Sequence, residues 1–517
     1  MQELEQLLAL FAAAVLLSAA ARRVGAPYPV FLAIGGAVLA FVPGAPRFTV
    51  PPELALALFV APVLLDAAYD ASLRDLRDNW APVLGLVVFA VGLTTVAVAV
   101  VVRALVPDIP WAAAIALGAI VAPPDAVAAT AVLRPLRPPH RLLTILEGES
   151  LLNDASSLLV YRLAVGAVAA NGFSIGTVAP TFALSVIGSL VVGPALGWLV
   201  PRLTQPIQHV PTAIILQFLS TFAVWVLADR VGLSGVLTTV CYAMTLARTA
   251  PGRIGARTRI PTNAVWETVV FALNILAFIF IGLQLRPILE GLQTADRSTY
   301  FTVAAAVLAT VVLVRIAWHM PFNTIVRLRH QRRGFHPPRP MLRPSLGSGL
   351  VISWAGMRGI VSLAAALALP ADFPYRNLIV LTAFSVVVGT LVLQGMTLKF
   401  LLRALDLGGG NPVADEVRAA RDEALQVALA SFAHDDSPAA ERARKELKAR
   451  LGRSPAGSGN AVEGTPTHAG IYRQALQAAR QAVIDLRDRE AIGDDAFHSV
   501  ENELDWLEIS DVLRSRH

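Results

Sequence analysis

Residues 147–170 read EGESLLNDASSLLVYRLAVGAVAA. They sit in an apolar stretch over 142–170, long enough to cross a hydrocarbon core of about 30 Å as a helix. Yet Glu149, Asn153 and Asp154 stand inside it. An aspartate at the centre of a membrane helix costs about 2.5–3.5 kcal/mol on insertion scales, so a functional gain must offset it. On a helix Glu149 and Asn153 are four apart, as are Ser150 and Asp154, which gathers oxygen atoms on adjacent faces. Carboxylate, amide and hydroxyl oxygens are what a hard cation requires once stripped of water. Glu147 reads instead as a headgroup contact at the start of the stretch.

The rest of the chain has the same character. Of 517 residues, 55% are hydrophobic and only 15% charged; a soluble chain carries roughly 25% charged residues. Apolar blocks recur to about Leu405, at approximately 4–21, 27–42, 52–70, 80–102, 110–133, 142–170, 174–200, 211–228, 232–248, 263–285, 300–325, 347–369 and 377–402. The fold class expected is therefore an all-α polytopic membrane protein of about thirteen spans over residues 1–405. Beyond Asp406 the chain turns polar, and its first lysine is Lys399. Residues 406–517 read as a cytoplasmic helical tail, with segments near 414–432 and 438–451, a Gly/Ser/Pro-rich linker at 452–467, and further helix from Ile471. Regulation or dimer contact is its expected role.

Arginine placement orients the spans. Alternate loops hold Arg22, Arg23, Arg74, Arg77, Arg134, Arg137, Arg141, Arg202, Arg248, Arg253, Arg257, Arg259 and six arginines from Arg327 to Arg343. The opposite loops hold Arg47, Arg103, Arg230, Arg286, Arg297 and Arg376. Positive residues favour the cytoplasm, which places the N-terminus outside and the tail inside. The net charge of +6 thus reflects orientation and not nucleic-acid binding. The acidic opening Met-Gln-Glu-Leu-Glu argues against a cleaved leader. Cys241, the lone cysteine, excludes a disulfide framework or a cysteine metal site. No motif calls for a cofactor.

Two further spans carry groups foreign to lipid. Pro123 and Pro124 precede Asp125 in mid-span. Their missing N–H groups and ring clashes predict an unwound segment, tolerated at that depth only beside a cavity or ion site. In the twelfth span, Trp354-Ala355-Gly356-Met357-Arg358-Gly359 loosens the helix and buries an arginine that requires a carboxylate. Glu149 is the expected partner. If spans 1–6 and 8–13 are inverted repeats, the fifth and twelfth spans correspond, and paired broken helices point to a transport site near the midplane. Asp66, towards the inner end of the third span, reads either as a group lining the inner funnel or as a satisfied buried carboxyl. Asp70, Glu267 and His319 fall near span ends, where contact with headgroups is expected; Arg162 and Arg315 lie deeper without an assigned role.

Gly148-Glu149-Ser150-Leu151-Leu152-Asn153-Asp154 resembles the signature of the monovalent cation:proton antiporter family 1, the sodium/proton exchangers. Gly356-Met357-Arg358-Gly359 is similar to that family's Gly-x-Arg-Gly segment, and Gln394-Gly395-Met396-Thr397-Leu398 to the close of its last span. The stretch Ala61-Pro62-Val63-Leu64-Leu65-Asp66-Ala67-Ala68-Tyr69 is similar to its Pro-Pro-x-x-x-Asp-Ala-Gly-Tyr motif, with Ala61 and Ala68 as departures. The resemblance implies exchange of Na+ (or Li+ or K+) for H+ across the cytoplasmic membrane by a homodimer. It implies Asp154 as carrier of cation and proton, helped by Asp125, Asn153, Ser150 and the backbone at Pro124. It also implies a structural Glu149–Arg358 ion pair and Asp66 in the cavity. Pro124 stands where many relatives place a hydroxyl residue. Electrogenic relatives have a second aspartate at the position of Asn153, so one-for-one electroneutral exchange is expected. A potassium-coupled or electrogenic antiporter is the alternative. An intramembrane aspartyl protease using Asp125 and Asp154 is more remote, because Asp154 follows Leu-Leu-Asn and not Gly-x-Gly. No filter sequence of the Thr-Val-Gly-Tyr-Gly kind suggests a channel.

Overall fold

A computed structural model describes residues 2–43, 51–136, 138–169, 175–204, 207, 209–249, 255–292, 297–334, 345–407, 412–451 and 466–514. Arg47, Arg137, Arg253, Arg339, Arg343 and most of the Gly/Ser/Pro-rich linker lie outside them. Every regular element among the described residues is helical.

The helices fall on the thirteen stretches read as spans. The first three are α1 (Gln2–Val24), α2 (Tyr28–Leu39), and α3 (Pro52–Ala55) running through a π-helical turn into α4 (Ala61–Asp70). A short α5 (Leu73–Asp78) leads to α6 (Trp80–Leu84), a second π turn and α7 (Val91–Leu105). Then come α8 (Trp111–Val121) and α9 (Ala126–Leu133), the halves of a broken helix, and the long α10 (His140–Ala169). There follow α11 (Ile175–Thr204), α12 (Val210–Arg230), α13 (Gly235–Thr249), α14 (Ala256–Leu283) with its short extension α15 (Leu285–Glu290), and α16 (Arg297–Arg333). A second broken helix is made by α17 (Leu346–Trp354) and α18 (Ile360–Leu367), and α19 (Arg376–Ala404) closes the apolar part. Among the described residues, nine helices are individually long and apolar enough to cross a membrane. The other stretches are short or interrupted, as at the break between α17 and α18, where length alone fails as a signal.

Small residues let the helices approach closely, as membrane packing favours. At Gly36 and Gly282 a Cβ would collide with the backbone of the facing helix, so α2 and α14 touch main chain to main chain. Gly118 of α8 meets the Thr95 backbone of α7 in the same way. One apolar core joins α2, α7–α10 and α16–α19; a second gathers around α4, α12, α13 and Trp266. The tail forms α20 (Pro412–Ala430), α21 (Pro438–Leu451), α22 (Pro466–Asp488) and α23 (Asp494–Arg514), with a core of its own around Tyr472, Leu476, Phe497 and Leu504.

Candidate functional site

The two broken helices meet at their breaks. Between α8 and α9 the chain is unwound at 122–125, and the Asp125 N–H, freed from any helix of its own, donates to Met357 O at 2.6 Å in the break between α17 and α18. The carboxylate of Asp125 caps α9, accepting from Val127 N at 2.9 Å. Gly359 precedes α18 so closely that a Cβ there would run into this carboxylate. Asp125 thus faces the N-termini of two half-helices, whose exposed N–H groups favour negative charge.

The long helix α10 passes beside this crossing and supplies the rest. Asn153 Nδ2 donates to Pro124 O at 3.2 Å, and Ser150 Oγ accepts from Ala126 N at 3.2 Å. Asn153 Oδ1 is buried and has no hydrogen-bond partner among the described residues. Asp154, 7% exposed, has neither a hydrogen-bond donor nor an ion-pair partner among them. It lines a cavity of about 290 Å3 together with Pro124, Asp125, Ser150 and Asp66. The cavity continues past Asp70, Arg134 and Glu147, and reaches the surface where Asp70 and Arg134 are exposed. Arg134 and Glu147 are paired there at 3.0 Å. This is the end of the molecule that carries Arg74, Arg77 and Arg259, all in contact with the tail.

Arg358 departs from the pairing expected of it, and Arg315 takes its place. Glu149 does not pair with Arg358. Its carboxylate receives both terminal nitrogens of Arg315, at 2.5 and 2.7 Å, from α16. Arg315 also donates to Ile352 O at 3.1 and 3.3 Å, in the last turn of α17. Arg358 turns the other way, to Val121 O at 3.0 Å, Ala122 O at 3.1 Å and Gly356 O. Each guanidinium therefore neutralises the carbonyl end of one half-helix inside the apolar core, where no water can do so. A helix C-terminus also carries partial negative charge, so Arg358 is satisfied without a carboxylate.

Other residues the sequence left unassigned take places here. Tyr28 and Asn274 line the cavity, and the hydroxyl of Thr390 accepts from Arg358 N at 3.1 Å. Asn274, a lone amide in an apolar run, was detectable by composition; Tyr28 was not. Arg162 pairs with Asp229 at 2.6 Å, tying α10 to α12 far from the tail. His319 is not at a surface: it is 2% exposed, and neither ring nitrogen has a hydrogen-bond partner among the described residues. Among those residues no cluster of three His, Cys, Asp or Glu side chains is set to hold a metal.

Comparison with known proteins agrees with this geometry. A family model described as "Sodium/hydrogen exchanger, transmembrane" matches residues 8–404. The chain is 31% identical to an uncharacterised Na(+)/H(+) exchanger of Mycobacterium bovis, over 97% of this chain and 95% of that one. It is 29% identical to the sodium, potassium, lithium and rubidium/H(+) antiporter of Bacillus subtilis, covering 72% of this chain and 58% of that one. The fold is similar to that of the sodium proton antiporter MjNhaP1 from Methanocaldococcus jannaschii, with a TM-score of 0.59 at 16% identity, covering 79% of this chain and 100% of that one. With its crossed broken helices and its Asn-Asp pair beside a cavity, the chain belongs to the sodium/hydrogen exchanger family, secondary antiporters of monovalent cations and protons.

Proposed function

We propose that this protein exchanges Na+ (or Li+ or K+) for H+ one for one across the cytoplasmic membrane, with cation and proton competing for Asp154. The observation that carries the reading is Asp154 itself, a carboxylate unpaired among the described residues, lining a cavity that also holds Asp66, Asp125 and Ser150. Left ionised in an apolar surrounding such a group is costly, and a proton or a bare cation each removes the cost. Only the neutralised site crosses cheaply, which couples one flux to the other. Asp125, Ser150, Asn153 and the Pro124 carbonyl form the remaining oxygen set around it. The unpartnered Asn153 Oδ1 supports a ligand there, whereas the Pro124 carbonyl already accepts from Asn153.

Asn153 in place of a second acid leaves a single free carboxylate in that pair of positions, which supports electroneutral exchange. Lys399 donates to Gly25 O at 3.1 Å, at the end of its span, so it is no partner for Asp154. The arginine-rich loops and the tail share one end of the molecule, which supports a cytoplasmic tail and an inward-facing cavity. The homodimer is carried over from the family resemblance, and crosslinking in native membranes tests it.

In proteoliposomes an inward Na+ gradient is expected to drive H+ out, with Li+ and K+ tried in turn. Asp154→Asn is expected to abolish exchange while the protein still inserts; activity persisting in that variant would remove the carrier role. Turnover that follows an imposed membrane potential would overturn the one-for-one ratio alone. The name of the Bacillus subtilis relative, which includes potassium and rubidium, favours a broad cation range as the second reading.

A further inference from the structure

The inner mouth of the cavity lies between two walls. Asp66, Asp70, Val270 and Asn274 on α4 and α14 form one; Arg134, just past the end of α9, and Glu147 and Asp154 of α10 belong to the other. In an alternating-access cycle this mouth closes while the far side opens, and the walls shift against each other.

The tail holds both walls. On the first, Arg259 in the opening turn of α14 is 7% exposed beneath α23. It donates to Glu501 at 2.5 Å and to both oxygens of Asp505 at 2.6 and 2.7 Å. Arg480 of α22 shares Asp505 at 2.6 Å. Beside it, the rings of Tyr69 and His498 stack at 6.5 Å. On the second wall His140, the first residue of α10, lies 3.1 Å from Asp495 Oδ2. Between the walls α5 grips the turn that joins α22 to α23: Arg77 meets Glu490 at 2.6 Å and Arg74 donates to Ile492 O at 3.2 Å. The tail has a packed core, so it cannot stretch between these anchors.

We infer that the C-terminal helical domain is a brake on the inner mouth: by bridging α14 and α4 to α5 and α10, it resists the relative movement of the two walls and slows exchange. The brake rests on the antiport reading, since it needs a cycle to slow. The anchors are unequal. Arg259 with its two carboxylates is buried, and removing one member leaves an uncompensated charge. His140 and Asp495 are partly exposed, with side-chain exposures of 20% and 50%, so this contact is the one that yields first.

The test uses the full chain in proteoliposomes under a fixed Na+ gradient. Asp495→Asn and His140→Gln, surface changes that leave the fold intact, are expected to raise the initial rate about two- to five-fold, the range a weak ion pair spans. The double variant Glu501→Gln/Asp505→Asn is expected to do the same and to expose the tail to protease. Conversely, a short bis-maleimide bridge between His140→Cys and Asp495→Cys, in a Cys241→Ser background, is expected to suppress exchange. An unchanged or lower rate in Asp495→Asn and His140→Gln, or full activity in the bridged protein, overturns the brake. Asp154→Asn separates the two readings. If it is silent while Asp495→Asn runs at the native rate, the carrier stands and the brake falls. If it remains active and Asp495→Asn accelerates it, the carrier falls and the brake stands.

Discussion

Glu149 and Arg315 are 1% and 3% exposed and meet in a bidentate pair, the geometry in which a buried ion pair recovers its desolvation cost. Breaking such a pair strands one charge in an apolar core. Glu149→Gln is therefore expected to lower stability by about 3–5 kcal/mol, measured as thermal melting in detergent, and Arg315→Met by a similar amount. The double variant Glu149→Gln/Arg315→Met is expected to lose much less than the sum, since the two sites share one interaction. At the same scale the sequence identified Asp154, Asp125, Ser150 and Asn153 as residues foreign to their surroundings. It could not pair the charges: several arginines and several acidic groups were on offer, and Glu149 and Arg315 are 166 residues apart. The geometric reason for Gly359 was equally hidden, because only the assembled site shows the Asp125 carboxylate where its Cβ would be.

At the scale of elements, the two interrupted helices were legible because their causes are local. Pro123 and Pro124 remove donors from the backbone, and Gly356 and Gly359 weaken the helix around Arg358. What the interruptions do to one another was not. The freed carbonyls of α8 are covered by Arg358, those of α17 by Arg315, and the Asp125 N–H finds Met357 O across the crossing. Arg358→Lys tests this: one ammonium on a flexible stem cannot reach three carbonyls held in a planar fork. The expected outcome is a stability loss of about 2 kcal/mol or more, from charge-assisted bonds left unmade, with exchange falling about tenfold or further. Native stability together with native turnover in Arg358→Lys would show that the carbonyls need no cap.

For the whole molecule, thirteen helical stretches and a polar tail follow from hydropathy, and alternate loops differ in arginine content strongly enough to orient them. The expected topology is checked by single cysteines in the Cys241→Ser background. Glu5→Cys should react with an impermeant maleimide added to intact cells, whereas His434→Cys should react only after permeabilisation. Labelling of both from one side would remove the odd number of crossings. The tail's position was beyond sequence reading: its helical periodicity was plain, but nothing in the spacing of Glu501 and Asp505 named Arg259 as their target.

Taken alone, the sequence determined which segments enter lipid, where two of them break, and which acidic side chains are buried too deep to be incidental. Those properties depend on apolar length, on proline and glycine, and on the cost of a lone charge in hydrocarbon, all of which act within a single helix. Tertiary structure alone decided that Glu149 binds Arg315, that Arg358 serves a helix end, that Asp154 opens to a cavity, and that the tail contacts α5, α10 and α14. Those are choices among partners distant in the chain, and they are made by packing, because charges and freed backbone groups in a water-free interior take whichever complement the fold carries to them.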